Sequence, residues 1–233
     1  MALLPQPPRG ASLDELDKVE TARWFTEIWN WTRNIWQTPI EFGDATNNTT
    51  IEADGTVVCN GAATTWNDIN ISLVPPAGGA AAPAVIAVNG DAWLDCYAFS
   101  GTNAPPDVIH SGMEILHDYK EGSDITFHIH WAPVNTTVAN VKWHLRYAWF
   151  NRLGIPTGVS AFVTSTTSGV AWQEQTSGIT ISGTGKRMGS RFLFAIIRDA
   201  RDVADTYAFN AATFDMGVHY EKDMMGSRQI TTK

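Results

Sequence analysis

With 233 residues and a net charge of −8, the chain is long enough for one large β-sandwich or two small domains. It is also too acidic to hold nucleic acid by neutralising phosphates, since no basic run exceeds Lys186-Arg187. Charged residues make up only 17%, while Trp and Phe number 10 each, a balance that predicts heavy aromatic burial in a core and at contacts between copies.

The opening residues MALLPQPPRG are neither a signal-peptide core nor a transmembrane span, so a soluble chain made in a cytoplasm, with no membrane partner, is expected. Residues 4 to 10 read as an extended polyproline-like arm. Ser12 and Glu15 have capping-box spacing, and Asp14, Glu15 and Asp17 favour a helix start. A long amphipathic helix from Leu13 to Gln37 is predicted, stopped by Thr38-Pro39. Its apolar stripe holds Leu13, Leu16, Trp24, Ile28, Trp31 and Ile35, broadened by Ala22, Phe25, Trp29 and Trp36. Leu16, Trp24, Phe25, Ile28, Trp29, Trp31, Ile35 and Trp36 are therefore the candidate oligomerisation residues; packing of the helix on its own sandwich is the alternative.

From Glu41 onward the pattern is β. Strands are predicted at 49–52, 56–59 and 64–73, separated by Asp54-Gly55 and Asn60-Gly61. Strands at 84–88 and 92–99 flank Asn89-Gly90, a strong hairpin signal. Further strands fall near 108–116, 125–131, 141–147, 159–167, 180–181, 191–198 and 214–220. The fold class is all-β, a jelly-roll-type sandwich over 41–233 behind an arm-and-helix segment over 1–40. Cys59 and Cys96 read as two small buried residues, and the sequence leaves open whether they meet.

Residues 125–131 and 141–147 alternate strictly, so they are expected to pair antiparallel with His128, His130, His144 and Arg146 on one polar face. His128-Ile129-His130 places two imidazoles on one side of a strand, as a shared metal ion requires, and His144 with His219 would complete the set. Gly122 lies six residues before His128, which resembles the opening of the cupin metal motif. The glutamate that motif needs is replaced by Val134 and Asn135. Hydrogen-bonding histidines are the simpler reading, so neither a metal nor a cofactor is expected. Gly183-Thr184-Gly185-Lys186 lacks the remaining phosphate-loop residues and reads as a turn. Asp199, Asp202 and Asp205 lack EF-hand spacing and read as loop carboxylates that pair with Arg198 and Arg201. No nucleophile motif appears, so no enzyme is expected.

The residues Lys120-Glu121-Gly122-Ser123-Asp124-Ile125, Phe127-His128-Ile129-His130-Trp131, Asn140-Val141-Lys142-Trp143 with Leu145 and Tyr147, Gly183-Thr184-Gly185-Lys186, Arg198-Asp199, Asp205-Thr206-Tyr207 and His219-Tyr220-Glu221-Lys222-Asp223 with Gly226-Ser227-Arg228 resemble a family of tailed-bacteriophage virion structural proteins, over roughly residues 108 to 233. That resemblance implies a virion location after assembly in the host cytoplasm. The expected role is a homotrimeric capsid cement or decoration protein bound to the major capsid protein or another virion protein. A tail fibre, neck or baseplate component is the alternative within that class; a cupin-like metal protein or a glycan-binding jelly roll, with exposed Trp stacked on sugar rings, is the alternative outside it.

Overall fold

The computed structural model of the chain describes residues 18–35, 39–75, 81–102 and 105–226. Two compact units separate, Met1–Thr65 with Asp223–Met225, and Trp66–Lys222 with Gly226–Lys233. The first holds α1 (Lys18–Ile35) and a three-stranded antiparallel sheet of β1 (Ile40–Gly43), β2 (Asn48–Ile51) and β3 (Val57–Asn60), in that order. Met224 bridges to Val58 at the edge of β3. Gly55 and Gly61 take positive φ in the turns read from Asp54-Gly55 and Asn60-Gly61. The expected helix of Leu13 to Gln37 is described over Lys18–Ile35. The proline arm, Leu13, Leu16, Trp36 and Gln37 lie outside the described residues.

The second unit is an antiparallel β-sandwich. One sheet has the order β10 (Val159–Thr166), β9 (Asn140–Phe150), β12 (Arg191–Arg198), β7 (Val108–Glu114). The other runs β11 (Gln175–Ile181), β8 (Ile125–Pro133), β13 (Ala211–Lys222), β6 (Asp91–Phe99), β5 (Ala84–Val88), and β4 (Thr65–Ile71) also pairs with β13. From β7 to β13 the chain changes sheet at every connection except β9 to β10, which keeps a core between two faces that are each half apolar. Ile125, Phe127, Ile129 and Trp131 of β8 meet Val141, Trp143, Leu145 and Trp149 of β9 in one buried cluster. The Trp131 and Trp143 rings pack edge to face at 5.8 Å, and Phe99 meets Trp143 at 5.3 Å. Two of the buried indoles donate to hydroxyls, Trp131 Nε1 to Ser177 Oγ at 2.8 Å and Trp149 Nε1 to Ser190 Oγ at 2.6 Å.

This arrangement corrects the expected pairing of 125–131 with 141–147. The two strands form as predicted but belong to opposite sheets: β8 pairs with β11 and β13, and β9 with β10 and β12. The segment between them spans the sandwich, so their apolar sides face each other and their polar sides point away in opposite directions. Both strands are strongly apolar on one side, and burying two such sides against each other removes more surface from water than laying them next to each other in one sheet. The Asn89-Gly90 hairpin is as read: Val88 pairs with Asp91, with φ of 48° at Asn89 and 80° at Gly90, as a two-residue type I′ turn requires. Cys59 and Cys96 are free thiols, and burial pushes the Cys96 thiol up.

Candidate functional site

The outer face of the six-stranded sheet carries a shallow groove of about 290 Å³ lined by Asp68, Thr126, His128, His130, Thr176, Gly178 and His219. Strand alternation places these side chains together. On β8, Thr126, His128 and His130 point outward while Ile125, Phe127, Ile129 and Trp131 point into the core. β13 sets His219 beside Thr126, Gly217 beside His128 and Asp215 beside His130. β11 contributes Thr176 opposite His130 and Gly178 opposite His128. The His128 ring lies over Gly217, where any Cβ would run into His128 Nε2 and Asp68 Oδ1, so the missing side chain makes room for the imidazole. At the edge of the groove Trp66, 56% exposed, lies against His219 with ring centroids 4.9 Å apart.

Each of the two β8 imidazoles has its own carboxylate partners. His130 Nδ1 donates to Glu174 Oε1 at 2.7 Å and its Nε2 is 3.8 Å from Asp215 Oδ1, while His128 Nε2 is 3.5 Å from Asp68 Oδ1. The two rings meet edge to face at 5.0 Å. Burial, opposed by Asp68 and reinforced by His130 and His219, pushes the His128 imidazole below its ordinary value. The hydrogen bond from His130 holds the Glu174 carboxyl below the usual range. A histidine depressed in the folded state stabilises the fold fully above its ordinary pKa of about 6.5, and that share is lost as pH falls through the lower folded value. His144, also depressed chiefly by burial, acts with the same sign, and Glu174 follows at lower pH. The urea midpoint is therefore expected to fall between pH 7 and pH 5, with a shallower fall in His128→Gln. A midpoint that is flat or rises on acidification would contradict this.

Of the four histidines read as metal candidates, three converge here and one does not. His144 stands on the outer face of the opposite sheet, stacked on Phe162 at 4.4 Å with its Nε2 3.0 Å from Ser160 Oγ. The set His128, His130, His144 and His219 therefore does not assemble, because β8 and β9 lie on either side of the core. Among the described residues no group of three or more His, Cys, Asp or Glu is placed to hold a metal ion. Trp66, Asp68, Glu174 and Asp215 went unread as site residues; the signal was the outward phase of Trp66 and Asp68 in a strand, without any clue to its neighbour. Among the oligomerisation candidates, Phe25 and Trp29 are 59% and 68% exposed, Trp24, Ile28 and Trp31 are half-buried, and Ile35 ends α1. Asp205 pairs with Arg198 as expected at 2.8 Å, while Asp199 and Asp202 pair with Lys142.

No family model matches the chain, and no curated protein matches it. Among solved structures it is similar to a family 35 carbohydrate-binding module from Cellvibrio japonicus, at 13% identity and a TM-score of 0.37 over 68% of this chain and 98% of that one. An exo-β-1,3-galactanase from Phanerochaete chrysosporium aligns at 10% identity and a TM-score of 0.36, over 74% of this chain and 33% of that one. Tailspike protein 4 of bacteriophage CBA120 aligns at 5% identity and a TM-score of 0.34, over 69% and 19%.

Proposed function

We propose that the sandwich is a non-catalytic, jelly-roll glycan-binding module whose ligand lies across the outer face of the six-stranded sheet. The observation that carries this is the half-exposed Trp66 indole at the edge of a polar groove. A sugar ring presents an apolar face of C–H groups, which an indole covers, and a rim of hydroxyls, which imidazoles, carboxylates and threonine hydroxyls bind. The groove is open and shallow, a shape that suits a stretch of glycan lying on a surface and not a small molecule enclosed in a cavity.

The test is a glycan array on the full chain, followed by calorimetry with the best hit. Trp66→Ala is expected to lower affinity about tenfold, the scale of one aromatic stack, with the fold intact because the ring is half in water. An array without a hit, or equal affinity in Trp66→Ala, would sink the reading.

A second reading is favoured by the exposed rings of α1 together with the resemblance carried by residues 108 to 233. In it the chain is a non-enzymatic structural protein of a tailed-phage virion, a capsid decoration protein or else a tail-fibre, neck or baseplate part. Copy number per particle separates these: hundreds mean the head, a few mean the tail, and absence from purified virions removes the reading altogether.

A further inference from the structure

We infer that the fork where β13 changes neighbours is a binding site for a small organic cation, a primary ammonium on an apolar body. The proposal is independent of what the outer groove binds. β8 covers one edge of β13 from Ala211 to Tyr220, so β6 and β4 share the other edge. The β6 ladder ends at Tyr97 opposite Thr213, and a bulge follows at once between Thr213 and Asp215. Bulges end pairing and re-aim side chains, and here the sheet opens into a cleft of about 460 Å³. That volume lies in the range of small-molecule pockets.

Two buried oxygens at this fork lack a donor. Among the described residues three buried side-chain polar atoms have no hydrogen-bond partner, Trp143 Nε1, Thr213 Oγ1 and Asp215 Oδ1, and the last two belong to residues that line the cleft. Thr213 is 0% exposed, and Asp215 Oδ1 is 3.8 Å from His130 Nε2, beyond hydrogen-bonding distance. Across the sheet Thr213 is paired with Tyr97 and Tyr97 with Val85, so the three side chains rise from one face, and all three line the cleft. The desolvation cost of the two oxygens is already present in the free protein, so a ligand that donates to them recovers it on binding.

The lining decides the sign of the ligand's charge. It contains Asp95 and Asp215 and no Lys, Arg or His. An anion would face two carboxylates on a chain of net charge −8, whereas a cation is drawn in by both. Leu73, Val85, Tyr97 and Phe214 supply apolar wall for the body of the ligand, and two of the four are aromatic rings, which attract an ammonium at close range. A primary ammonium carries three N–H donors and a quaternary one carries none. Only the primary form can satisfy both orphan oxygens.

Calorimetry of the full chain with phenethylamine tests this, with one site per chain and a Kd on the order of 0.1 mM expected for a molecule of that size. Phenethyl alcohol keeps the ring and loses the charge, and is expected to bind about tenfold more weakly. Hydrocinnamate, which reverses the charge, is expected not to bind. Thr213→Val and Asp95→Asn should each lower the affinity for phenethylamine about fivefold or more. Thr213→Val keeps the shape of the side chain and removes an oxygen that has no partner, so its urea midpoint without ligand is expected to equal or exceed that of the wild type. A hydroxyl with a merely structural role would do the opposite, lowering the midpoint and leaving the affinity alone. The proposal is overturned by no saturable binding of phenethylamine at millimolar concentration, by equal affinity for phenethyl alcohol, by wild-type affinity in either variant, or by a lowered midpoint in Thr213→Val.

Discussion

Arg198→Met is expected to cost about 3–5 kcal/mol of folding stability, the scale seen when one partner of a buried ion pair is removed. Arg198, the last residue of β12, is 1% exposed and pairs in bidentate fashion with Asp205, Nε to Oδ2 at 2.9 Å and Nη2 to Oδ1 at 2.8 Å. It also donates to the carbonyls of Phe99 at 3.2 Å, Phe209 at 2.5 Å and Tyr207, and its guanidinium lies 5.5 Å from the Tyr207 ring centre. One planar cation thus ties the end of β6, the loop after β12 and the approach to β13 together. Methionine would fill much of the volume but leave Asp205 charged in a site where its side chain is 1% exposed, with three carbonyls deprived of a donor. Lysine would restore charge without the fork and recover only part of the loss. Urea unfolding checks the value, and a loss under about 1 kcal/mol would show that the pair is dispensable.

Gly183→Ala is expected to destabilise by about 3 kcal/mol, at the upper end of overpacking costs. A Cβ there would overlap the Ser123 carbonyl oxygen and the Tyr119 hydroxyl, and the first of these is backbone that cannot swing aside. Gly183 N also donates to Asp124 Oδ1 at 3.0 Å, and Tyr119 donates its hydroxyl to Ser123 O, so the two loops are locked face to face. Two residues on, Gly185 has φ of +71° but nothing within 4 Å of a built Cβ. Gly185→Ala should therefore cost only the backbone strain of about 1–2 kcal/mol. Equal or reversed losses in a paired urea titration would contradict the steric account. The thermal transition of Gly183→Ala should fall correspondingly further than that of Gly185→Ala.

The Gly183-Thr184-Gly185-Lys186 segment shows where local reading stops. Its glycines announce a turn, and a turn is what forms, with Lys186 N donating to Gly183 O at 2.8 Å. Which glycine is irreplaceable depends on a loop sixty residues earlier in the chain. The same holds for Gly217, whose missing Cβ leaves room for an imidazole on a different strand. A helix was legible over Lys18–Ile35 because its apolar residues repeat within a few turns, and within it Phe25 and Trp29 are exposed while Trp24, Ile28 and Trp31 are half-buried.

By itself the sequence determined most of the strands, though not β1 and only the last two residues of β11, together with the sides of β8 and β9 and the Asn89-Gly90 turn, because alternation with period two and positive φ at Asn and Gly are properties of neighbouring residues. Tertiary structure alone decided that β8 and β9 lie in opposite sheets, that His144 is separated from His128 and His130 by the core, and that Trp66 and Asp68 come to stand beside His219 and His128. Those outcomes depend on which of several apolar sides bury best against each other. That competition is settled by burial across the whole molecule, and no stretch of a few residues records its result.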